Sequence, residues 1–375
     1  MRIGIITFHN VINYGAALQA LATQTVLTNI GHEASIINYT PDHICCIYKP
    51  FSLAKYRLHA KNSLSVLARS IASDLRHFRR INKKRARFNA FFKKYYNLDF
   101  TQKKTLATLE KALPQYDACI TGSDQVWNPD ITGGFDPAYF LRFGDEKMIR
   151  LSYAASIGRD NYTEKEYEEL SSLVRGLDAV SVREESAEKL LRDKIGLDSE
   201  TVLDPTLILT ANEWIDLVGD EDTVGQPYIF VYTLYPNAEL DKYVEHLSRE
   251  KNLPVVTINP RSSYYNELTP RSYADPADFV RLIRGASYVV TNSFHGTAFS
   301  VNFSKNVTTF KGGARNSRIT DLLSKLGLGD RAVSTYEEAL RNSTDIEAYP
   351  EAQKRLSEAR EHSISFINKA LRRDC

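Results

Sequence analysis

Cysteine is scarce and scattered in this chain of 375 residues. Of the four, Cys45 and Cys46 are adjacent, Cys119 falls in an apolar run and Cys375 is the last residue. That spacing excludes a disulfide framework and any paired C-x-x-C metal site. Long hydrophobic runs are missing as well: no stretch approaches the ~20 apolar residues needed to cross a bilayer. The chain opens on a strand-like run instead of a charged, then apolar leader, so it is expected in the cytoplasm. Net charge is only +2, too small to imply nucleic acid as a partner. Familiar signatures are absent too: there is no G-x-x-x-x-G-K-S/T, no convincing G-x-G-x-x-G and no H-E-x-x-H.

What the chain has is a repeated grammar of buried strand, polar turn and helix. Ile3-Gly-Ile-Ile-Thr-Phe8 reads as a strand, Leu18, Leu21, Ala22, Val26 and Leu27 keep a helical period, and Gly31 ends that helix. Ala34-Ser-Ile-Ile-Asn-Tyr39 then gives a second strand, and a right-handed crossover makes the pair parallel. Strands are predicted at 116–121, 150–156 and 178–182, each stopping in polar residues, with a short closing strand at 201–205. Residues 219–227 are acidic, carry glycine and lack a period, which marks a linker or surface loop. The pattern then restarts with strands near 228–232, 254–258 and 307–310, helices near 238–251 and 276–284, and the junction 286–300. Length and alternation together predict an α/β protein of two domains, 1–218 and 219–375. A helical stretch at 349–373 is expected to return across the first domain.

A helical insertion at about 44–113 belongs to the first domain. From Arg76 to Lys94 it holds nine Lys/Arg and no acid. Phe78, Ile81, Phe88, Phe91, Phe92 and Tyr95 recur at near-helical spacing, as expected of an amphipathic helix. Its cationic face is either simply solvated or drawn to anionic lipid or a phosphate-bearing acceptor.

Candidate chemistry collects where strands end. Asn292, Ser293 and Phe294 lead into His295, followed by Gly296 and Thr297, so a strand end, small residues and a helix start coincide around a titratable group. An anion is the expected ligand. Lys311, Arg315 and Arg318 follow the next strand around a glycine pair and are either surface cations or positive charge for the same place. Arg183, after the strand 178–182, is either salt-bridged to a neighbouring carboxylate or a bidentate clamp on phosphate or carboxylate. Asp204 either orients that arginine or caps the next turn. Asp124, Gln125 and Trp127 share one loop, whose composition suits a sugar, with hydroxyls on Asp and Gln and C–H faces on the indole. The alternative is Asp124 as a helix cap and Trp127 as a core anchor. Asn13, Tyr14 and Gly15 read as a rim loop with Gln19 facing inward.

Taken together these residues resemble the polysaccharide pyruvyl transferase family. The resemblance rests on Asn13-Tyr-Gly-Ala-Ala-Leu-Gln19, Thr121-Gly-Ser-Asp-Gln-Val-Trp-Asn128, Ser181-Val-Arg-Glu-Glu-Ser-Ala187, Val202-Leu-Asp-Pro205, Asp278-Phe279 and Val290-Thr-Asn-Ser-Phe-His-Gly-Thr297. It implies a glycosyltransferase-B-like architecture, two Rossmann-like domains facing across a cleft. It also implies phosphoenolpyruvate as donor, held mainly by the second domain, and a sugar or lipid-linked oligosaccharide as acceptor, held by the first, with neither cofactor nor metal. The product would be a cyclic pyruvate ketal on a cell-surface polysaccharide such as capsule or exopolysaccharide, or on its precursor. By the same resemblance His295 is the histidine near the donor and a candidate acid, Arg183 the anion-binding arginine, and Asp124 and Asp204 acidic positions near the cleft. Several relatives carry Arg-Leu-His where this chain has Ser293-Phe-His295, so the missing charge is expected from Lys311, Arg315 or Arg318. Peripheral contact with the inner face of the membrane, through Arg76 to Lys94, is the remaining expectation. Two other readings stay open: a glycosyltransferase with a nucleotide-sugar donor, and a glycan-binding subunit without catalysis.

Overall fold

The computed structural model describes residues 1–45, 51–52, 56, 64–99, 101–112, 116–159, 161–221, 224–258, 264, 266–268, 271, 273–312, 317–342 and 348–372. The chain forms two compact units, Met1–Pro205 with Ser365–Cys375, and Thr206–Ile364.

The first unit is built on β1 (Arg2–Ile6), β2 (Glu33–Ile36), β3 (Ala118–Thr121), β4 (Ile149–Ala155), β5 (Ala179–Val182) and β6 (Glu200–Thr201). All neighbours pair in parallel, in the order β2-β1-β3-β4-β5-β6. The second unit carries β7 (Ile229–Tyr232), β8 (Val255–Thr257), β9 (Tyr288–Thr291), β10 (Asn306–Phe310) and β11 (Ala332–Val333), again all parallel, ordered β11-β10-β9-β7-β8. Helices cover both faces of such sheets, so their central strands lie buried and read as unbroken apolar runs. Counted from β8, the second order repeats the first without its last strand. Both sheets are therefore doubly wound, and strand order reverses between β1 and β3 and between β7 and β9. The α/β class with two Rossmann-like units is as the sequence predicts.

Local signals account for most of the elements. Asn13 caps the helix Tyr14–Asn29, its Oδ1 accepting from the Ala16 amide at 3.2 Å. Leu18, Leu21, Ala22, Val26 and Leu27 are all buried, and Gly31 takes φ +92° just beyond the helix end. The closing strand is shorter than predicted, because Pro205 starts a helix, Pro205–Ile208. The unit boundary also falls earlier than the predicted 218/219. Residues 206–218 belong to the second unit because Trp214 is fully buried against Phe299, ring centroids 5.0 Å apart. The Trp214 indole N–H donates to the Thr206 carbonyl at 3.0 Å, and Asn302 Nδ2 donates to the Leu209 carbonyl at 2.8 Å. The final helix, Tyr349–Ala370, contributes its residues up to Ile364 to the second unit and its end to the first, where Phe366 meets Tyr153 at 6.5 Å.

The described part of the insertion is a helix of 32 residues, Leu64–Tyr95, and a shorter one, Leu106–Ala112. Of its remainder, residues 46–50, 53–55, 57–63, 100 and 113 lie outside the described residues. The end of the long helix is what docks: Phe88, Phe91 and Phe92 are buried, and Phe88 packs on Tyr14 at 5.1 Å. Beyond it, the Tyr96 hydroxyl donates to the Ala17 carbonyl at 2.8 Å. Phe78, expected on the same buried stripe, is exposed instead. Trp214→Ala removes the anchor of 206–218 and should lower the unfolding free energy of the second unit by about 3–5 kcal/mol in urea denaturation.

Candidate active site

In an open parallel sheet, ligands are held beyond the carboxyl ends of the strands, at the reversal of strand order. At the first reversal the ends of β1 and β3 are tied by polar side chains. Thr7 Oγ1 donates to the Ser123 carbonyl at 2.7 Å and accepts from Gln19 Nε2 at 2.9 Å. A Cβ on Gly122 would lie 3.1 Å from Thr7 Cβ, so glycine lets the two ends close up.

Asp124 follows with φ +83°, a left-handed conformation rare outside glycine and a form of strain that concentrates at functional positions. It is held there by its own carbonyl, which accepts from Val126 N at 2.8 Å and Ser156 N at 3.0 Å. The Asp124 side chain stays half-exposed. Beside it β4 carries a bulge between Ser152 and Ala155, with Ala154 at φ +52°. Bulges of this kind re-aim side chains next to sites.

Arg183 and Asp204 are buried together. Arg183 Nη1 donates to Asp204 Oδ2 at 2.9 Å, and Ser123 Oγ donates to the same oxygen at 2.9 Å. Glu184 approaches Arg183 Nε at 3.9 Å, while its Oε1 accepts from Ser156 Oγ at 2.7 Å and from the Ile157 and Gly158 amides at 3.1 and 3.3 Å. Burial works against the Arg183 charge, but Asp204, Glu184 and Asp124 outweigh it and hold its pKa above the usual arginine value. The salt-bridge alternative for Arg183 is what the fold adopts. An anion placed here would face three carboxylates, whereas a hydroxyl group would meet acceptors and a half-exposed base.

The loop reading of the other first-unit residues needs correction. Trp127 is fully buried, stacked on Phe140 at 5.2 Å and 5°, with its indole N–H on the Tyr139 carbonyl at 3.0 Å. It is the core anchor and presents no face to a sugar. Tyr14 and Gln19 are 1% and 0% exposed, and Asn13 to Gly15 form a helix cap and first turn instead of a rim loop. Gln125 is nearly buried, its Oε1 accepting from Asn128 Nδ2 at 2.8 Å. Two residues passed over in the sequence stand close by: Glu184, and His9, whose ring nitrogens lie 3.1 Å from the Thr7 carbonyl and 3.2 Å from Asn38 Oδ1. Burial pushes the His9 pKa down, against smaller upward contributions from those two hydrogen bonds. The polar residues just past a buried strand were the available signal for both.

The second reversal is tied in the same manner. Thr291 Oγ1 donates to the Tyr232 carbonyl at 2.6 Å, Asn292 Oδ1 accepts from Leu234 N at 2.7 Å, and Asn292 Nδ2 donates to the Tyr235 carbonyl at 2.9 Å. Ser293 then caps the helix Phe294–Asn302, its Oγ accepting from Gly296 N at 3.4 Å. A Cβ on Gly296 would sit 2.5 Å from Thr291 Oγ1, so only glycine lets the helix start this close to β9. The Thr297 hydroxyl is turned inward, donating to the Ser293 carbonyl at 3.0 Å and lying 2.9 Å from Thr309 Oγ1, which makes it a fastener of this corner. His295 is half-buried in the first turn, edge-on to Phe294 at 5.3 Å. The positive end of the helix dipole at such a turn favours an anion.

Ser293, where the resemblance led to an expected arginine, supplies a cap and no charge. Lys311, directly after β10, is half-buried, and the adjacent Gly312 carbonyl accepts from the Tyr235 hydroxyl at 3.2 Å. The loops after β7, β9 and β10 therefore meet, with Tyr235, absent from the sequence reading, at their junction. Arg318 lies half-buried on the helix Ser317–Lys325, and Arg315 lies outside the described residues.

Two doubly wound sheets, each with polar and charged side chains gathered beyond its strand ends, define a two-unit Rossmann-like α/β protein. The model of the polysaccharide pyruvyl transferase family matches residues 13–311, and the chain belongs to that family, a transferase family. Among solved structures it is similar to UDP-GlcNAc 2-epimerase from Neisseria meningitidis bound to UDP-GlcNAc, with 10% identity and a TM-score of 0.46 over 98% of this chain and 94% of that one. It is likewise similar to UDP-N-acetylglucosamine 2-epimerase from Rickettsia bellii, with 12% identity and a TM-score of 0.47 over 98% of each chain. A search of curated proteins returns no match. Among the described residues, no helix is long and apolar enough to cross a membrane.

The two acids of the first site should separate under mutation. Asp204→Ala strands a buried guanidinium and should cost about 3–5 kcal/mol of stability in urea denaturation. Asp124→Asn keeps a residue tolerant of positive φ and should change stability by less than about 1 kcal/mol. Acid should weaken the first unit through His9. The unfolded state takes up that proton near pH ~6.5 and the folded state only at lower pH, so stability falls as pH drops below ~6.5. His9→Gln should flatten that part of a stability-versus-pH curve.

Proposed function

We propose that the protein moves the enolpyruvyl group of phosphoenolpyruvate onto two hydroxyls of a sugar, forming a cyclic pyruvate ketal and releasing phosphate in cell-surface polysaccharide biosynthesis. The observation that carries this reading is the start of the Phe294–Asn302 helix at the β7/β9 reversal, with Ser293 as cap and His295 in its first turn. Membership of the pyruvyl transferase family supports the reaction class.

In this reading the donor belongs to the second unit. The positive end of the Phe294–Asn302 helix dipole and the Lys311 ammonium balance the phosphate and carboxylate of phosphoenolpyruvate, with Arg318 as a further cation. His295, as imidazolium, gives its proton to the methylene carbon of the enol. That leaves an oxocarbenium-like centre at C2, which one sugar hydroxyl attacks. The bond from C2 to the phosphate oxygen then breaks, phosphate departs with its electron pair, and the second hydroxyl closes the ring at C2 as its proton passes to the departing phosphate.

The acceptor belongs to the first unit, where Asp124 takes the proton of the attacking hydroxyl. Arg183 and Asp204 act there as positioning residues, bracing the loop that holds Asp124 in its strained conformation. Asn292, Gly296 and Thr297 play the corresponding part for the donor, by fixing where the helix begins.

Phosphate release from phosphoenolpyruvate in the presence of a panel of glycans tests the proposal. The wild type should release phosphate only with a competent diol acceptor. His295→Ala should lower kcat by about 10²–10⁴-fold, with the thermal midpoint unchanged. Full activity in that variant, or release of a nucleoside diphosphate from a sugar nucleotide instead, would overturn it.

A further inference from the structure

The long basic helix has a second apolar stripe, distinct from the one that docks. Ile71, Leu75 and Phe78 follow the i, i+4, i+7 spacing of one helix face and are 37%, 66% and 42% exposed. Phe51, 44% exposed, lies with its ring 5.4 Å from that of Phe78 and extends the patch. These four are half of the eight large exposed hydrophobic side chains among the described residues, so the exposure is concentrated here. Arg76, Arg79, Arg80, Lys83 and Arg87 are all exposed, and by helical spacing they occupy the adjoining face, from Arg79 beside the stripe to Arg80 across the helix from it. Asp74 is the single acid of Leu64–Tyr95, and it is 2% exposed, accepting from Phe51 N at 3.0 Å and the Tyr56 hydroxyl at 2.8 Å. It fastens the patch without offsetting the surface charge.

We propose that this projecting part of the helix is a docking face for an anionic phospholipid surface. Leucine, isoleucine and phenylalanine would sit at the boundary of headgroups and acyl chains, with Arg79, Lys83 and Arg76, the cations nearest the stripe, on lipid phosphates and the rest on the polar face. The combination selects among occupants. A nucleic acid would use the cations but leave four apolar side chains in water. A second copy of the chain would bring the same cations against one another. A lipid surface takes both, and the aromatic residues Phe88, Phe91 and Phe92 stay in the protein core throughout. The inference is independent of the transfer reaction, which is read by phosphate release without vesicles.

Co-flotation of the full chain with vesicles tests it. Phosphatidylcholine vesicles containing about one-third phosphatidylglycerol should carry the protein, and pure phosphatidylcholine vesicles should not. Binding to the mixed vesicles should weaken as salt is raised. Arg76→Glu with Arg79→Glu, and separately Leu75→Glu with Phe78→Glu, should each reduce it about ten-fold or more. Because all four positions are exposed, both variants should keep the wild-type thermal midpoint. Equal binding to neutral vesicles, undiminished binding by either variant, or no flotation of a wild type that captures duplex RNA would each overturn the proposal.

Discussion

Everything in this molecule follows from the parallel pairing of two central strands in each sheet, β1 with β3 and β7 with β9. Parallel strands end on one side, so the loops that leave them are forced into company. The strand ends must also be held at a fixed distance without apolar packing, and side-chain hydrogen bonds do that work. Thr7 and Ser123 close the first reversal. Thr291 and Asn292 close the second, the asparagine using its carbonyl and its amide in opposite directions. Those bonds decide where the following residues stand: a strained Asp124 in one unit, the first turn around His295 in the other.

The two sites divide charge between them. In the first, one buried arginine is surrounded by Asp204, Glu184 and Asp124, an arrangement that fits hydroxyl groups better than phosphate. In the second, a helix start and Lys311 offer positive potential with no capping acid, since the cap is Ser293. Ser293 gives that position a helix cap and no charge, and Lys311, directly after β10, is a cation of the same unit. The division supports assigning phosphoenolpyruvate to the second unit and the sugar to the first.

Most of the fold was legible because buried parallel strands are short apolar runs that stop in polar residues, as at Thr121, Val182 and Thr291. Helices declared themselves by period and punctuation, with Asn13 before one and Gly31 after it. Burial was the property that local pattern failed to convey. Trp127 and Tyr14 have the chemistry of a sugar site, yet both are inside, because the loop after β3 folds back on Phe140 and the helix after β1 is packed on nearly every side. His9, Glu184 and Tyr235 went unread for the converse reason: their importance comes from partners far away in sequence. The unit boundary at 205/206 was hidden similarly, since Trp214 finds Phe299 only in three dimensions. The places of His295 and Asp124 just past strand ends were readable because strand, turn and helix signals coincide there without help from distant residues.

The central claim is that donor and acceptor are recognised by different units. Isothermal titration of phosphoenolpyruvate into the wild type, a Lys311→Ala variant and an Asp124→Asn variant tests it directly. The account predicts that donor affinity falls about ten-fold or more in the Lys311 variant, a loss of ~1.4 kcal/mol or greater, while the Asp124 variant binds phosphoenolpyruvate as the wild type does. Loss of affinity in the Asp124 variant with full binding in the Lys311 variant would contradict it.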